Sequence, residues 1–221
     1  LLNSVNPFRV EGQKTIVFEM LQQRNWQPPD WIVLPAGNLG NTSAFGKALH
    51  EFHELGLIDR MPRLACVQAA GSAPFYASYV EGFAQRHTVA AHTLATAIRI
   101  GNPVSYERAI RALRWTDGVV TAVSDQEIME AKAEVDASGI GCEPASAASL
   151  AGLRKLVGEG VIAPDASTVA VLTGHLLKDP EATVNYHLGK LEGIVSGRVA
   201  APVVVDATYA AVSRILEESV R

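Results

Sequence analysis

Short apolar runs alternate along this chain with longer segments in which apolar residues recur every three or four positions. Continuous runs of the kind that is buried on both faces of a parallel sheet occur at 31–34, 63–69, 119–123 and 168–172. Helical spacing predicts helices at 11–24, 44–55, 105–115, 125–137, 147–157 and 207–220. This alternation predicts an α/β fold of three layers, in which a mostly parallel, twisted sheet carries helices on both faces.

Local signals mark several boundaries of these elements. Ser124 and Glu127 form the pattern of a capping box at the start of one helix, and Ser105 is placed to cap another. Pro7 predicts that the first nine residues are a strand end and a loop, because proline interrupts a helix. Pro202–Val205 has the composition of a short strand.

The loop after the first predicted strand is the strongest local signal of ligand binding. Its sequence is Gly37-Asn38-Leu39-Gly40-Asn41, and Asn41, Thr42 or Ser43 could cap the helix that follows. The first N–H groups of a helix and the positive end of its dipole together form an anion site, most naturally for a phosphate. The two glycines permit positive φ and a close approach of the backbone to the ligand. The loop alone is equally compatible with a tight turn.

The charge and composition of the chain argue against several classes of ligand and partner. The net charge is −4 and lysine and arginine do not cluster, which argues against nucleic acid as the main partner. No apolar run approaches membrane-spanning length. Cys66 and Cys142 lie in apolar or small-residue surroundings, so we expect inert buried thiols in a reducing cytoplasm. The histidines lack metal-ligand spacing, and no Ser/His/Asp or Cys/His arrangement stands out, so we expect no metal site.

Residues with useful chemistry gather in four segments: 3–9, Gly37–Asn41, Glu143–Ser146 and Thr173–His175. The last three fall at the carboxyl ends of predicted strands or just before helices, so they could converge on one cleft. Arg9 offers a bidentate fork to an anionic ligand. Neutral donors are offered by Asn3, Ser4 and Asn38. The segments therefore suit an anionic ligand.

Five motifs in and around these segments resemble those of the threonine synthases, a family in the tryptophan-synthase β-like group of pyridoxal-phosphate enzymes. They occur in the family's order: NSVNPFRVEGQKT, PAGNLGNTSAFGKA, ATAIRIGNP, CEPASAASLAGL and LTGHLLKDP. The resemblance covers Leu1 to about Pro180, and the tail after Pro180 shows no motif that we recognise. It implies the large domain of the tryptophan-synthase β-like fold in a cytoplasmic, homodimeric enzyme.

The resemblance also implies a cofactor, a substrate and their residues. Gly37, Asn38, Leu39, Gly40 and Asn41 would hold the phosphate of pyridoxal 5'-phosphate through backbone N–H groups, and Thr173 would hydrogen-bond its pyridine nitrogen. Positions that grip the phosphate of the substrate, O-phosphohomoserine, are matched by Asn3, Ser4, Arg9 and Asn38. The family's reaction is a β,γ-replacement that converts O-phosphohomoserine and water to threonine and phosphate.

One departure from the family concerns the Schiff-base lysine, which lies upstream in a serine-phenylalanine-lysine-aspartate motif that this chain lacks. The lysines present are predicted to be helix-surface or loop residues: Lys14, Lys47, Lys132, Lys155, Lys178 and Lys190. We therefore expect no catalytic residue in this chain. We expect residues 1–221 to form one α/β domain, the C-terminal part of a longer two-domain enzyme and inactive alone, with 181–221 as a tail without an assigned role. Leu176 also stands where the family usually has glycine.

Several alternatives stay open from the sequence. Threonine dehydratase and cysteine synthase belong to the same group, but their substrates carry no phosphate for Arg9 to bind. The absence of the lysine motif supports a non-catalytic homologue that binds a phosphate ligand. A plain nucleotide-binding domain is disfavoured, because no G-x-G-x-x-G follows the first strand. We expect Glu143 to support the cleft and His175 to be a packed loop residue.

Overall fold

Four parallel strands form the centre of the structure, a computed structural model that describes residues 6–219. The strands are β1 (Trp31–Pro35), β2 (Arg63–Ala69), β3 (Val119–Val123) and β4 (Thr168–Ala170). Their order in the sheet is β3-β2-β1-β4, and each neighbouring pair is parallel. The predicted α/β class is confirmed.

Helices cover both faces of the sheet. In the described part of the chain they are α1 (Pro7–Gln13), α2 (Thr15–Gln23), α3 (Gly40–Glu54), α4 (Pro74–Val80), α5 (Tyr106–Trp115), α6 (Asp125–Ala137), α7 (Pro144–Gly158), α8 (Pro180–His187) and α9 (Tyr209–Ser219). Side chains of β1 and β2 alternate between two clusters of buried residues, as expected for strands buried on both faces. Ile32 and Leu34 pack with α2, α3 and α5, whereas Trp31 and Val33 pack with α6 and α7. None of the helices within residues 6–219 is long and apolar enough to cross a membrane.

The N-terminal prediction is wrong for the residues that are described. Pro7 starts α1 instead of preventing a helix, because the first turn needs no N–H donor and proline's fixed φ suits it. Asn6 caps this helix, its Oδ1 accepting from Phe8 N at 3.0 Å. The predicted helix 11–24 is two helices that meet at Lys14.

Predicted helix boundaries had mixed outcomes. The capping box of Ser124 and Glu127 is confirmed, with both reciprocal hydrogen bonds present. Ser105 precedes α5, but its side chain makes no capping bond to the described residues of this helix. α7 begins earlier than predicted, with Pro144 in its first turn.

The C-terminal region corrects two further predictions. β4 is half-buried instead of buried, because it pairs only with β1 among the described strands and so forms one edge of the sheet. Pro202–Val205, which lies within the described range, forms no strand and is largely exposed. The first part of the tail packs on α6 instead, where Tyr186 is buried beside Met129 and Ala133. Residues 202–205 pair with none of the described strands, so strand-like composition alone does not produce a strand here.

Candidate active site

A cavity of about 540 Å³ opens at the carboxyl ends of β1 and β4. This is the position at which parallel α/β sheets bind ligands. Its walls are formed by Arg9, Gln13, Ile16, Pro35, Gly37, Asn38, Leu39, Gly40, Asn41, Ala97, Ile98, Glu143, Ala145, Val171, Leu172, Thr173 and Lys178. The four segments singled out in the sequence thus meet around one cavity, as far as they are described. Asn3 and Ser4 lie outside the described residues.

The glycine loop reaches the cavity with an unexpected backbone conformation. Gly37 and Gly40 would permit positive φ, but in this loop positive φ occurs at Leu39, whose φ is 63°. A non-glycine residue in this region is strained, and such strain is often retained at ligand sites. The residue is nearly fully buried, so its packing stabilises the conformation.

Gly37 has a different reason to be glycine. A Cβ atom at this position would lie 3.0 Å from Ile98 Cα and 3.2 Å from the Ala97 carbonyl oxygen. The loop after β1 therefore packs tightly on the 97–98 backbone. The lack of space for a Cβ atom, and not a positive φ, therefore favours glycine at position 37.

The start of α3 has no side-chain cap from any residue that the structure describes. The helix begins at Gly40, so the three predicted caps lie inside its first turn instead of before it. Ser43 Oγ donates to the Leu39 carbonyl at 2.8 Å, and Thr42 Oγ1 lies 3.4 Å from Cys66 Sγ. Ser43 N makes the first helical hydrogen bond, to the Leu39 carbonyl, so the N–H groups of Gly40, Asn41 and Thr42 have no acceptor within the helix. Gly40 and Asn41 line the cavity. This end of the cavity suits an anion such as a phosphate.

Two buried amide oxygens on the cavity wall support a ligand of mixed polarity. Gln13 Oε1 and Asn41 Oδ1 have no hydrogen-bond partner among the residues that the structure describes. An unpaired buried acceptor costs about 1–3 kcal/mol, so each favours a ligand that brings a hydrogen-bond donor. A phosphorylated molecule with N–H or O–H groups could accept hydrogen bonds from the α3 N–H groups and donate to these two amide oxygens. The phosphate-bearing cofactor implied by the sequence meets the first of these demands.

Asn38 joins this loop to the start of α5. Its side-chain Oδ1 accepts from Val104 N at 2.8 Å, and its carbonyl oxygen accepts from Ser105 N at 3.2 Å. The first bond orients the side-chain amide at the cavity wall, and the second fixes the backbone of the loop. α5 therefore helps to set the position of the loop.

Thr173 lies in the cavity wall after β4, beside the buried hydroxyl of Ser146, a residue to which the sequence alone assigned no role. Ser146 Oγ is 3.1 Å from Thr173 Oγ1 and accepts from Gly174 N at 2.8 Å. Ser146 is fully buried in the first turn of α7 and orients the Thr173 hydroxyl. The only indication of this role in the sequence was that Ser146 belongs to the segment Glu143–Ser146.

Glu143 is a nearly buried carboxylate at the same wall. Its Oε1 accepts from Lys178 Nζ at 3.2 Å, and the glutamate side chain is 5% exposed against 59% for the lysine. Its backbone N–H donates to the Gly174 carbonyl at 3.0 Å. This pairing agrees with the expected supporting role. The prediction that His175 is a packed loop residue is wrong: it is exposed and does not line the cavity, and its Nδ1 accepts from Leu177 N.

Lys132 and the two cysteines do not line the cavity. Lys132, predicted at the surface, is only 1% exposed and pairs with Asp136 at 2.5 Å within α6. The prediction failed because α7 and the loop before it cover this face of α6, which helical spacing alone does not reveal. Both cysteines are buried, as predicted, and burial raises the pKa of the Cys66 thiol to about 12.

Comparison with known proteins places the chain in a family. A family model described as pyridoxal-phosphate dependent enzyme matches residues 1–174. The chain is 43% identical over 220 residues to threonine synthase 2, chloroplastic, of Arabidopsis thaliana, and 49% identical over 187 residues to a threonine synthase of Methanosarcina acetivorans. The first alignment covers 99% of the chain and the second 84%, so the tail after Pro180, in which no motif was recognised, does have a counterpart.

Solved structures share the fold. The threonine synthase of Escherichia coli superposes with a TM-score of 0.66 at 22% identity over 98% of this chain and 50% of its own. Threonine deaminase isoform 2 of Solanum lycopersicum gives 0.64 at 20% identity over 80% of this chain and 50% of its own. The chain spans 43% and 46% of the length of the two curated relatives. The family match, the shared fold and the phosphate-suited cavity agree, and this chain belongs to the family of pyridoxal-phosphate dependent enzymes.

Proposed function

We propose that this chain supplies the cofactor-phosphate loop and part of the substrate site of a threonine synthase. The enzyme would convert O-phosphohomoserine and water to threonine and phosphate. The observation that carries the proposal is the arrangement of Arg9, the 37–41 loop and Thr173 around one cavity. Identities of 43% and 49% to threonine synthases support this choice over threonine dehydratase.

Each side of the cavity has a separate task in this proposal. The N–H groups at the start of α3 would bind the phosphate of pyridoxal 5'-phosphate, and Thr173 Oγ1, held by Ser146, would hydrogen-bond the pyridine nitrogen. When bound, the cofactor supplies an electron sink that stabilises carbanions. A neutral hydroxyl does not enforce protonation of the ring nitrogen as a carboxylate would, so electron withdrawal depends on the rest of the site.

The substrate phosphate binds at Arg9, which offers two parallel N–H donors. Asn38 presents its fixed amide to the same group, and Asn3 and Ser4 are proposed to contribute from the segment just before α1. Two anion sites in one cavity, one for each phosphate, distinguish a phosphorylated substrate from threonine. This is the physical reason to prefer the synthase over other members of its group.

The catalytic lysine is proposed to lie outside these 221 residues. The family's lysine motif is absent, and Lys178, the lysine that lines the cavity in the described part of the chain, donates to Glu143. The homodimer, the cytoplasmic location and the division into two domains stay predictions that this proposal inherits. Sedimentation of the whole polypeptide would test the first of them.

A pair of variants tests the proposal in the full polypeptide that carries this chain. Arg9→Ala removes charge-assisted hydrogen bonds worth about 1.5–3 kcal/mol, so we expect the KM for O-phosphohomoserine to rise about 10–100-fold with little change in cofactor affinity. Gly37→Ala should mainly weaken the binding of the cofactor, because the added Cβ would lie only 3.0 Å from Ile98 Cα and would displace the 37–41 loop. Release of threonine and phosphate measures turnover, and titration with cofactor measures affinity.

The proposal predicts opposite profiles for these two variants. Equal loss of substrate and cofactor binding in both would contradict separate phosphate sites. A wild-type polypeptide that binds the cofactor but forms no threonine from O-phosphohomoserine would refute the assigned reaction.

A further inference from the structure

α1 presents two different faces to its surroundings. Arg9, Gln13 and Ile16 line the cavity, and their spacing of four and three residues places them on one side of a helical path. Lys14 has α-helical backbone angles, so this path continues from α1 into α2. At about 100° per residue, Glu11 and Lys14 lie on the opposite side. α1 therefore has a ligand face and an ionic face.

The ionic face meets α3 in a ring of four charges, here called the four-charge cluster: Glu11, Lys14, Lys47 and Glu51. Lys14 Nζ lies 2.6 Å from Glu11 and 2.5 Å from Glu51. Lys47 contacts Glu11 and lies 3.6 Å from Glu51. Two of these pairs, Lys14–Glu51 and Lys47–Glu11, join α1 to α3. Every charge thus has opposite charges as its neighbours, and the two helices are tied at two points.

The pKa values of Glu11 and Lys14 reflect the ion pairs that these two residues make. Hydrogen bonds from Lys14 and then Lys47 hold the pKa of Glu11 below its usual value. Partial burial would lower the pKa of Lys14, but its two carboxylate partners outweigh burial and raise it. Both shifts favour the charged forms of Glu11 and Lys14.

We propose that the four-charge cluster is a positioning device that holds Arg9 and Gln13 at a fixed place relative to the 37–41 loop. The loop leads directly into α3, and Lys47 and Glu51 lie about two to three turns further along this helix. The same rigid helix thus carries the proposed cofactor-phosphate site at its start and the attachment of α1 in its middle. The inference rests on the proposed function, which requires two phosphates to be held at a constant separation.

A purely stabilising role is a poor explanation of the cluster. Its side chains are 21–42% exposed, and each ion pair at such exposure contributes about 1 kcal/mol or less to stability. Small errors in the placement of a binding group, by contrast, have large effects on a reaction. Removing one charge should therefore change substrate binding more than folding.

The experiment uses the full polypeptide with its cofactor bound. Lys47→Met and Lys14→Met each cut one link between the helices, and the combined reversal E11K/K14E/K47E/E51K restores all four pairs with opposite signs and the same net charge. Arg154→Met is the matched control, because it removes a half-exposed ion pair between α7 and α6 on the other face of the sheet. Hydrogen exchange of the α1 amides, cofactor affinity, and kcat and KM for O-phosphohomoserine are measured for each variant.

We expect Lys47→Met to speed exchange in α1 and to raise KM about fivefold, with kcat within about twofold and cofactor affinity unchanged. Lys14→Met should do the same, the reversal should restore both properties, and Arg154→Met should change neither. Unchanged exchange in α1, faster exchange without a rise in KM, or a folded reversal variant that fails to recover would each overturn the inference. Hydrogen exchange needs no substrate, so a wild type without turnover would refute the proposed function while exchange still tests the attachment of α1.

Discussion

Gly46 in α3 offers the sharpest test of how packing sets the site. A Cβ atom here would lie 2.2 Å from Ala112 Cβ and 2.7 Å from Ala112 Cα, in the contact between α3 and α5. Ordinary contact begins near 3.4 Å, so Gly46→Ala must separate the two helices by about 1.2 Å. Because a backbone atom is involved, a rotamer change cannot relieve the clash.

The magnitude follows from two opposing effects. Overpacking costs about 1–3 kcal/mol, and replacing a helical glycine by alanine returns up to about 1 kcal/mol. We expect the free energy of unfolding to fall by about 1–2 kcal/mol and Tm by about 2–8 °C for a chain of this size. Cofactor binding should also weaken, because the residues that lead into α5, Val104 and Ser105, hold Asn38 of the 37–41 loop, which we propose to bind the cofactor phosphate.

Thermal and urea unfolding followed by circular dichroism, with cofactor titration, measure these effects. Gly158→Ala is the control: it lies at the exposed end of α7 with no described atom within 4 Å of the added one, so stability should hold or rise by up to about 1 kcal/mol. Ala112→Gly should partly rescue Gly46→Ala by removing the nearest atom. A Gly46→Ala protein as stable as the wild type would refute the packing argument.

Three further predictions concern the site and the protein interior. Gly174→Ala would place a Cβ 2.1 Å from Glu143 Oε1, so we expect cofactor affinity to fall with a native circular dichroism spectrum; unchanged affinity would show that the carboxylate can move away freely. The Cys66 thiol, with its pKa raised by burial to about 12, should react with a thiol reagent at about pH 8 only at the rate of unfolding, and rapid reaction of the native protein would contradict this. The pKa of Glu11 is lowered by hydrogen bonds from Lys14 and then Lys47, so its stabilising effect is present above its ordinary value of 4.5 and is lost as pH falls through the lower folded value. The difference in Tm between wild type and Glu11→Gln should therefore shrink only below pH 4.5, and a difference that disappears well above that pH would count against it.

The backbone conformations at Pro7 and Leu39, near the site, were not predicted by local sequence patterns. Pro7 was expected to exclude a helix and instead starts one, because proline is unfavourable only after the first turn. The glycines of the 37–41 loop permit positive φ, but it occurs at Leu39, where burial of the side chain stabilises a conformation that local preference disfavours. Each outcome depends on what the rest of the fold packs against the residue.

The sequence by itself determined the α/β class, the four strands and the position of the glycine loop 37–41 between a strand and a helix. Strands buried on both faces need continuous apolar runs, and a tight loop between strand and helix needs small residues, so the local sequence indicates both. Only the tertiary structure decided that Ser146 orients Thr173, that Lys132 is buried, and that Lys47 and Glu51 tie α1 to the helix behind the loop. These relations join residues far apart in the chain, and their chemistry exists only once packing brings the side chains together.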